Sequence, residues 1–383
     1  MRTLNTVQRG LSLVELMVGM SVGLVISLGL FMLVSNTSRA FRVQDDFARL
    51  QENGTMALRY IVDDLRMAGF YGLAQSTQSA TTGTAALADM GISGISSDCG
   101  AALTDGTPWA LNVAQPVLVI SKTAGGAVLT KTNINSTVPC IQANDFDEGN
   151  ASVIVLRGAL GFQVRDLNGD GNLVPELEAQ ANYTTTLYVQ SSPNADPNTL
   201  IFRGDVFSPK KSSGIVRSLS TGADAPIFEY QSHVYYVRPC SRPTPPLTTC
   251  SPSMNDDGGT SIPTLVRHEM VGAAMQLVPL VEGIERVSLL YGLDADNDGV
   301  AEQFTATPAD TAWEQVIAVR VSVLARTPNS TPGYSDVNKT YDLGGGVTFT
   351  CTPAVNCNFK RHVFTQIASI RNCAQRRGMG KGC

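Results

Sequence analysis

Two short acidic stretches of the sequence, DADNDGVAE (294–302) and DLNGDGNLVPE (166–176), carry oxygen-bearing side chains at alternate positions. Oxygen ligands at positions 1, 3, 5, 7 and 9, with a glycine at position 6, form the donor set of a calcium-binding loop. Both stretches lack the bidentate glutamate that such a loop carries at position 12. The candidate ligands are Asp294, Asp296, Asp298, the carbonyl of Val300 and Glu302 in one stretch, and Asp166, Asn168, Asp170, Asn172 and Glu176 in the other.

A tight polar turn between strands is the alternative interpretation of both stretches, because Asp, Asn and Gly are common turn residues. Three alternating carboxylates in one turn would repel each other without a cation, which favours calcium at 294–302. Thr305 stands at position 12 of that stretch, whereas Glu176 or Glu178 could replace the missing glutamate of the other. Neither stretch contains a nucleophile or a general base, so we expect any bound calcium to be structural.

All eight cysteines lie in the part of the chain that begins at Cys99. An even number of cysteines in an oxidising compartment favours disulfides, although eight cysteines permit about 105 connectivities. A zinc site is disfavoured, because no C-x-x-C spacing occurs and no histidine stands near a cysteine pair at zinc-ligand spacing. Pairing of nearest neighbours is the simplest prediction, namely Cys99–Cys140, Cys240–Cys250, Cys351–Cys357 and Cys373–Cys383.

Motifs of catalysis are absent from the sequence, which contains no G-x-S-x-G, no H-E-x-x-H and no P-loop. We interpret the triplet Arg267-His268-Glu269 as a strand edge with surface charges rather than as an acid–base pair. The net charge of −5 gives no indication of polyanion binding. The scattered cations Lys210, Lys211, Arg376, Arg377 and Lys381 do not change this. We expect no enzymatic activity, no catalytic cofactor and no nucleic-acid partner.

One carboxylate, Glu15, stands near the start of a long apolar segment. The uncharged run 16–34, with residues 11–14 added, reaches the roughly 20 residues that cross a bilayer. Arg2 and Arg9 precede the segment, which predicts a cytoplasmic N-terminus and places the rest of the chain beyond the inner membrane. A cleaved secretory signal would show a small-residue cleavage site after the apolar run, and none is evident. A carboxylate at bilayer depth costs a few kcal/mol, which argues against a plain membrane anchor.

The segment RG-LSLVE (9–15) resembles the class III leader of type IV prepilins. The resemblance implies that prepilin peptidase cuts after Gly10 and that the new N-terminal amine, on Leu11, is methylated. It also implies that Glu15 pairs with the N-terminal amine of a neighbouring subunit during assembly, so that a buried charge meets an opposite one. The family usually has Phe where this chain has Leu11.

The helix that begins in this segment is predicted to continue beyond the membrane. The stretch 39–68 contains no proline, and apolar residues recur at steps of three and four from Phe47 to Leu65. Gly69 is a natural helix stop. A helix from Leu11 to Ala68 would be about 87 Å long. A free amphipathic helix or coiled coil is the alternative interpretation of the second half.

The rest of the chain changes to short β-type runs with turn-rich segments between them. In 316–327, Val319, Val321 and Val323 alternate with Arg320 and Ser322, which predicts a strand with one buried face. Further strands are predicted within 116–122, 152–158, 183–190, 233–239 and 285–292, and loops at 74–107, 191–198, 239–262 and 327–345.

These patterns predict an α+β fold in which a long transmembrane-plus-amphipathic helix packs on an antiparallel β-rich head. The leader resemblance implies that this fold is type IV pilin-like. The head is expected to have one or two lobes. The predicted divisions are a cleaved leader (1–10), the transmembrane half of the helix (11–34), its amphipathic half (35–70) and the head (71–383).

Four segments together resemble the PilW family of type IV pilus minor pilins: DDLRMAGFYG (63–72), YGLDADNDGVAE (291–302), VIAVRVSVLART (316–327) and FKRHVFTQIASIRN (359–372). The resemblance implies a low-abundance subunit that primes pilus assembly with PilV-, PilX- and FimU-type minor pilins. It also implies contact with the major pilin, support of a PilY-type tip protein, and a role in twitching motility. The head would lie in the periplasm on a single-pass inner-membrane anchor, and later in the extracellular pilus. Because a tip subunit would not need Glu15, we expect a position near, but below, the tip.

Two alternatives remain open from the sequence. The J-type minor pseudopilin of type II secretion systems resembles PilW-like proteins, and its deletion would abolish exoprotein release while leaving twitching intact. A non-polymerising envelope-anchored adhesin or DNA-binding module is the second alternative. An uncut N-terminus that begins at Met1 would support it.

Overall fold

The computed structural model describes residues 12–73, 91, 99–100, 108–113, 115–123, 126–148, 152–192, 199–211, 219–251, 256–272, 274–308, 312, 315–352, 357–370 and 372. The predicted cleavage site at Gly10 and Leu11 lies outside the described residues, as do Cys373 and Cys383. The chain divides into two compact units, residues 1–49 and 50–383.

Helix α1 spans Leu13–Met67. Its N-terminal part is long and apolar enough to cross a membrane, and none of that apolar window is buried within the protein. An exposed apolar surface of this extent requires a covering of lipid or of other subunits.

The C-terminal end of α1 is closed by two features. Gly69 has a φ of 73°, the left-handed conformation that commonly ends a helix. The side-chain amide of Asn372 donates to the carbonyl oxygens of Arg66 and Ala68 at 3.1 and 3.3 Å. A residue near the end of the described chain thus satisfies the last carbonyls of the first helix.

Within the described residues, the larger sheet has seven strands, and every pair in it is antiparallel. The central strand β5 pairs with β2 along one edge, and with β3 and then β6 along the other. The order is β1-β2-β5-β3-β4, and β6 also pairs with β7. The strands are β1 (Val117–Ile120), β2 (Val153–Val164), β3 (Leu187–Ser191), β4 (Thr199–Arg203), β5 (Ile227–Arg238), β6 (Thr264–Val271) and β7 (Ala274–Glu282).

The second sheet, in the part of the chain that the structure describes, has four strands in the order β13-β10-β8-β9, and a separate hairpin pairs β11 with β12. These strands are β8 (Ile284–Leu293), β9 (Gln303–Thr305), β10 (Val316–Arg326), β11 (Thr340–Gly344), β12 (Val347–Thr350) and β13 (Arg361–Ser369). Short helices are α2 (Ile134–Thr137), α3 (Val174–Glu178) and α4 (Phe207–Lys211), with 3₁₀ turns at Trp109–Leu111, Ala143–Asp145, Gly204–Val206 and Asp256–Gly258.

The main core lies where the last turns of α1 meet both sheets. Ile61 and Leu65 of α1 are fully buried in one cluster with Ile154 of the larger sheet and with Val287 and Val321 of the smaller. Full burial of one such aliphatic side chain is worth about 1.5–3 kcal/mol. The structure therefore confirms the predicted α+β arrangement, an amphipathic helix packed on antiparallel sheet.

Some local predictions are wrong. Strand β10 is buried on both faces, because the β11–β12 hairpin covers the second face and packs Tyr341 and Phe349 on Leu324. The predicted loop 327–345 is wrong at its C-terminal end, because residues 340–344 form β11 of this hairpin. Residues 183–186 form a turn rather than the start of β3, where the hydroxyls of Thr185 and Thr186 both donate to the carbonyl of Asn182.

Candidate functional site

The first turn of α1 holds Glu15 in a reciprocal arrangement with Ser12. The carboxylate of Glu15 accepts from the backbone N–H of Ser12 at 3.0 Å, and the Ser12 hydroxyl oxygen accepts from the N–H of Val14 at 3.2 Å. This is a variant of the capping box, in which the N-cap side chain accepts from the second rather than the third residue of the helix, and it satisfies backbone donors that a helix start leaves without partners. The S-x-x-E spacing was the sequence signal for it.

The acidic loop 294–302 connects β8 to β9. The Asp294 carboxylate is only 3% exposed and accepts from the N–H groups of Asn297 at 2.7 Å and Gly299 at 3.2 Å. Asp296 accepts from the N–H of Asp298 at 3.2 Å. The Asp298 carboxylate accepts from the backbone N–H of Val300 at 2.7 Å, and the Glu302 carboxylate accepts from the backbone N–H of Ala295 at 2.9 Å.

Four carboxylates of this loop converge. One carboxylate oxygen from each of Asp294, Asp296, Asp298 and Glu302 lies within 4.8 Å of the other three. Oxygen donors at this spacing can share a hard divalent cation such as calcium. The structure thus brings together the four side chains that the sequence pattern singled out.

The loop 166–176 repeats the same backbone scheme before α3. Asp166 accepts from the N–H groups of Gly169 at 2.7 Å and Gly171 at 2.8 Å, and these bonds lower its pKa below the ordinary 3.8. The side-chain oxygen of Asn168 accepts from the backbone N–H of Asp170 at 3.1 Å, and the carboxylate of Asp170 accepts from the backbone N–H of Asn172 at 2.7 Å. In both loops, the backbone N–H groups of positions 4 and 6 donate to the side chain at position 1. The N–H of position 5 donates to the side chain at position 3, and the N–H of position 7 donates to the side chain at position 5.

The donor sets of the two loops differ. Among the described residues, Asp166, Asp170 and Glu176 do not come within 4.8 Å of one another as the four carboxylates of 294–302 do. Glu176, on α3, accepts from the N–H of Leu167 at 3.3 Å. In the other loop, Glu302 accepts the equivalent bond from the N–H of Ala295, which is likewise the second residue of its loop.

Three disulfides are present in the described part of the chain. They join Cys99 to Cys140, Cys240 to Cys250 and Cys351 to Cys357, which are three of the four nearest-neighbour pairs. The sulfur atoms of the first pair lie near His268, but sulfurs that are bonded to each other offer no thiolate to a metal.

A polar cluster around Asp64, on the sheet-facing side of α1, was not recognised from the sequence. His233 and Tyr235 of β5 both hydrogen-bond the same oxygen of Asp64, and Arg267 Nη1 lies 3.9 Å from it. Burial acts to raise the pKa of Asp64, but these partners outweigh it and lower the pKa below 3.8. Asp64 follows Ile61 by three residues, so helical periodicity could have placed it on the buried stripe.

The triplet around His268 also differs from its prediction. Strand β6 is paired on both edges, with β5 and β7, so the triplet is not at a sheet edge. His268 is 6% exposed and lies with its Nε2 3.3 Å from the hydroxyl of Tyr236. Arg267 and Glu269 pair with each other on the opposite side of the strand. No nucleophile with an activating base is assembled there.

Comparisons with known proteins give two matches to family models. Residues 5–31 match the prokaryotic N-terminal methylation motif, and residues 253–372 match the family described as type IV pilus-assembly protein W. The second match contains the acidic loop 294–302, β10 and β13. No curated protein matches the chain significantly.

Among solved structures, the chain is similar to a type IV-like pilin, TTHA1219 from Thermus thermophilus, with 14% sequence identity. The likeness covers 37% of this chain and 79% of that one, at a TM-score of 0.20.

The methylation motif and the exposed apolar helix fit a membrane-anchored pilin, which is processed by a peptidase and associates with other pilus components. Pilins are structural proteins, and the family suggests no catalytic cofactor. The methylation motif at one end of the chain and the assembly-protein W region at the other identify it as a PilW-type minor pilin of type IV pili.

Proposed function

We propose that this minor pilin primes type IV pilus assembly in the inner membrane and then occupies a position near, but below, the pilus tip. The observation that carries the proposal is Glu15, at the start of an apolar helix whose span is not buried within the protein. A carboxylate in such a surface is costly unless an opposite charge meets it.

Among the described residues, the hydrogen bond of the Glu15 carboxylate goes to the backbone of its own helix start, at Ser12. A capping bond of this kind is worth about 1 kcal/mol, which a full ionic partner exceeds in a low-dielectric filament core. The N-terminal amine of a subunit already in place would supply that partner. A subunit that uses Glu15 in this way docks beneath another one, which supports a position below the tip.

The partners in this proposal follow from the family resemblance. They are prepilin peptidase acting between Gly10 and Leu11, PilV-, PilX- and FimU-type minor pilins, the major pilin and a PilY-type tip protein. The head would lie in the periplasm during priming and in the extracellular pilus afterwards.

Replacement of Glu15 tests the docking step. We expect Glu15→Ala to be processed and to accumulate in the inner membrane, but to be strongly depleted from sheared pili. Glu52→Ala is the matched control, because Glu52 is an exposed carboxylate on the same helix. If the Glu15 variant entered sheared pili at the wild-type level, the position below the tip would be wrong.

Gene deletion separates the pilus from the secretion system. A priming subunit predicts loss of piliation and twitching with exoprotein release intact, whereas a pseudopilin predicts the reverse. Mass spectrometry of the mature protein tests the non-polymerising alternative, because an N-terminus still beginning at Met1 would contradict every filament role.

For the head, we further propose a structural calcium ion in the loop 294–302. The convergence of four carboxylates, one of them buried, supports it, because their mutual repulsion is relieved by a divalent cation. Asp298→Asn keeps the oxygen that accepts from Val300 but removes one charge. We expect calcium to raise the melting temperature of the wild type and this rise to shrink in the variant. An unchanged calcium response would contradict the site.

A further inference from the structure

The loop 166–176 ends in a side chain that a polar turn does not explain. Glu176 is 8% exposed, and its Oε2 atom is buried without a hydrogen-bond partner. A buried carboxylate oxygen without a partner is costly, because it has lost its hydration without gaining a hydrogen bond or a counter-charge. Among the described residues, no Lys or Arg forms an ion pair with Glu176, so the protein itself provides no positive charge to it.

The second oxygen of the same carboxylate shows where this group is directed. Glu176 Oε1 accepts from the N–H of Leu167, the second residue of the loop, at 3.3 Å. The carboxylate therefore lies against the loop whose first, third and fifth side chains are Asp166, Asn168 and Asp170. The residue is thus placed to close the ligand set from the helix that follows the loop.

We propose that residues 166–176 form a second site for calcium, in which the Glu176 carboxylate supplies the ligand that the loop lacks at position 12. The cation would neutralise the buried Oε2 and draw on the oxygens of Asp166, Asn168 and Asp170. This site is separate from the one at 294–302, and it does not depend on the chain's role in a pilus.

The two sites differ in charge. The loop 294–302 offers four carboxylates, whereas 166–176 offers Asp166, Asp170 and Glu176, with amides at Asn168 and Asn172. Calcium affinity rises with the number of charged ligands and with the rigidity of the site. The carboxylates of 166–176 are also less closely gathered. We therefore expect the second site to bind calcium more weakly than the first.

The surroundings of the loop connect this site to the stability of the head. The carboxylate of Asp224 accepts from the N–H of Leu173 at 2.8 Å, and its own N–H donates to the carbonyl of Gly171 at 2.8 Å. Leu173 and Leu177, on either side of Glu176, are buried in one apolar cluster with Phe207. An ion that holds Glu176 would therefore hold α3 on this cluster.

Calcium titration of the purified full chain in detergent tests the proposal, by calorimetry and with magnesium as the competing cation. We expect two calcium sites in the wild type. Glu176→Gln keeps an oxygen for the N–H of Leu167 but removes the charge, and we expect it to weaken one site by about tenfold or more. Asp298→Asn should weaken only the other site, so failure of either loop can be recognised separately.

Glu178→Gln is the matched control, because Glu178 is an exposed glutamate on the same short helix. Should Glu176→Gln fail to fold, Asp170→Asn provides the same test, since Asp170 is exposed and an Asn retains the oxygen that accepts from Asn172. A wild type with one calcium site, removed by Asp298→Asn alone, would overturn the proposal. Equal weakening by Glu178→Gln and Glu176→Gln would overturn the assignment of Glu176.

Discussion

Phe364 of β13 lies directly against Gly54 of α1. A Cβ atom at position 54 would overlap the aromatic ring, with Cγ only 2.8 Å away. Phe364 also packs on the main core, so the glycine lets the last strand of the second sheet approach the helix closely. The close packing of β13 on α1, two segments that are far apart in the sequence, therefore depends on the absence of a side chain at position 54.

Gly54→Ala is expected to lower the free energy of unfolding by about 1–2 kcal/mol. Alanine gains roughly 0.5–1 kcal/mol of helix propensity, but overpacking against the Phe364 ring costs about 1–3 kcal/mol. Denaturant unfolding of the full chain in detergent measures the change. Phe364→Leu should recover part of the loss in the double variant. Gly23→Ala, in the same helix, is the control that should not destabilise, because an added Cβ there would meet no described atom within 4 Å apart from the adjacent residues and backbone of its own helix.

Arg361 is the centre of a buried ionic cluster. Its guanidinium bonds Glu285 at 2.6 and 3.0 Å and Asp336 at 3.0 Å, and none of the three side chains is more than 5% exposed. Arg361→Met is expected to destabilise by about 3–5 kcal/mol, because the buried Asp336 loses its ion pair with Arg361 and Glu285 retains only the longer contact with Arg326, at 3.5 Å. Chemical unfolding measures it.

The control for Arg361 is Arg59→Met. Arg59 pairs with Asp63 at 3.6 Å on the helix surface, where its side chain is 77% exposed. Exposed pairs contribute about 0–1 kcal/mol, so the control should change stability little. Similar losses in the two variants would mean that the buried cluster contributes no more than a surface pair.

His268 is predicted to make the head sensitive to mild acid. Burial, with the charge of Arg238 added, lowers the pKa of His268 from 6.5 to about 4. The unfolded chain therefore takes up a proton before the folded one, and stability falls as the pH drops from 6.5 towards 4. The loss amounts to about 3 kcal/mol across that window.

Substitution of His268 tests this dependence. We expect His268→Gln to reduce the loss of stability between neutral pH and about pH 4.5, whereas His362→Gln, at an exposed histidine, leaves it unchanged. Asp64 does not interfere, because its pKa lies below 3.8 and its contribution is lost only in stronger acid. Equal slopes in wild type and His268→Gln would show that another group controls the window.

Removal of the disulfides should destabilise the head in the order of the loops that they close. The sequence separations are 41 for Cys99–Cys140, 10 for Cys240–Cys250 and 6 for Cys351–Cys357. Loop-closure entropy predicts losses of about 4, 3 and 2 kcal/mol for the respective double Cys→Ala variants. Thermal unfolding under non-reducing conditions ranks them. A larger loss for the shortest loop than for the longest would contradict an entropic origin.

The sequence by itself determined the features that depend on local pattern. Helix α1 follows from an apolar run, an amphipathic stripe and Gly69, and the β-branched runs became β1, β2, β5, β8 and β10. The two acidic loops are also local, because their Asp and Asn side chains bond backbone amides only a few residues away. Periodicity and turn chemistry operate over such distances, and the family motifs lie in the same segments.

Tertiary structure alone decided which polar residues are buried and which strands meet. Nothing near Arg361 in the sequence shows that Glu285 and Asp336 surround it, and nothing near Asp64 shows that it faces His233. The sequence of β10 predicted one exposed face, whereas in the structure the β11–β12 hairpin covers that face. The physical reason is that burial of a charge or of a strand face is set by partners brought from distant parts of the chain, and pattern within a segment carries no record of those partners.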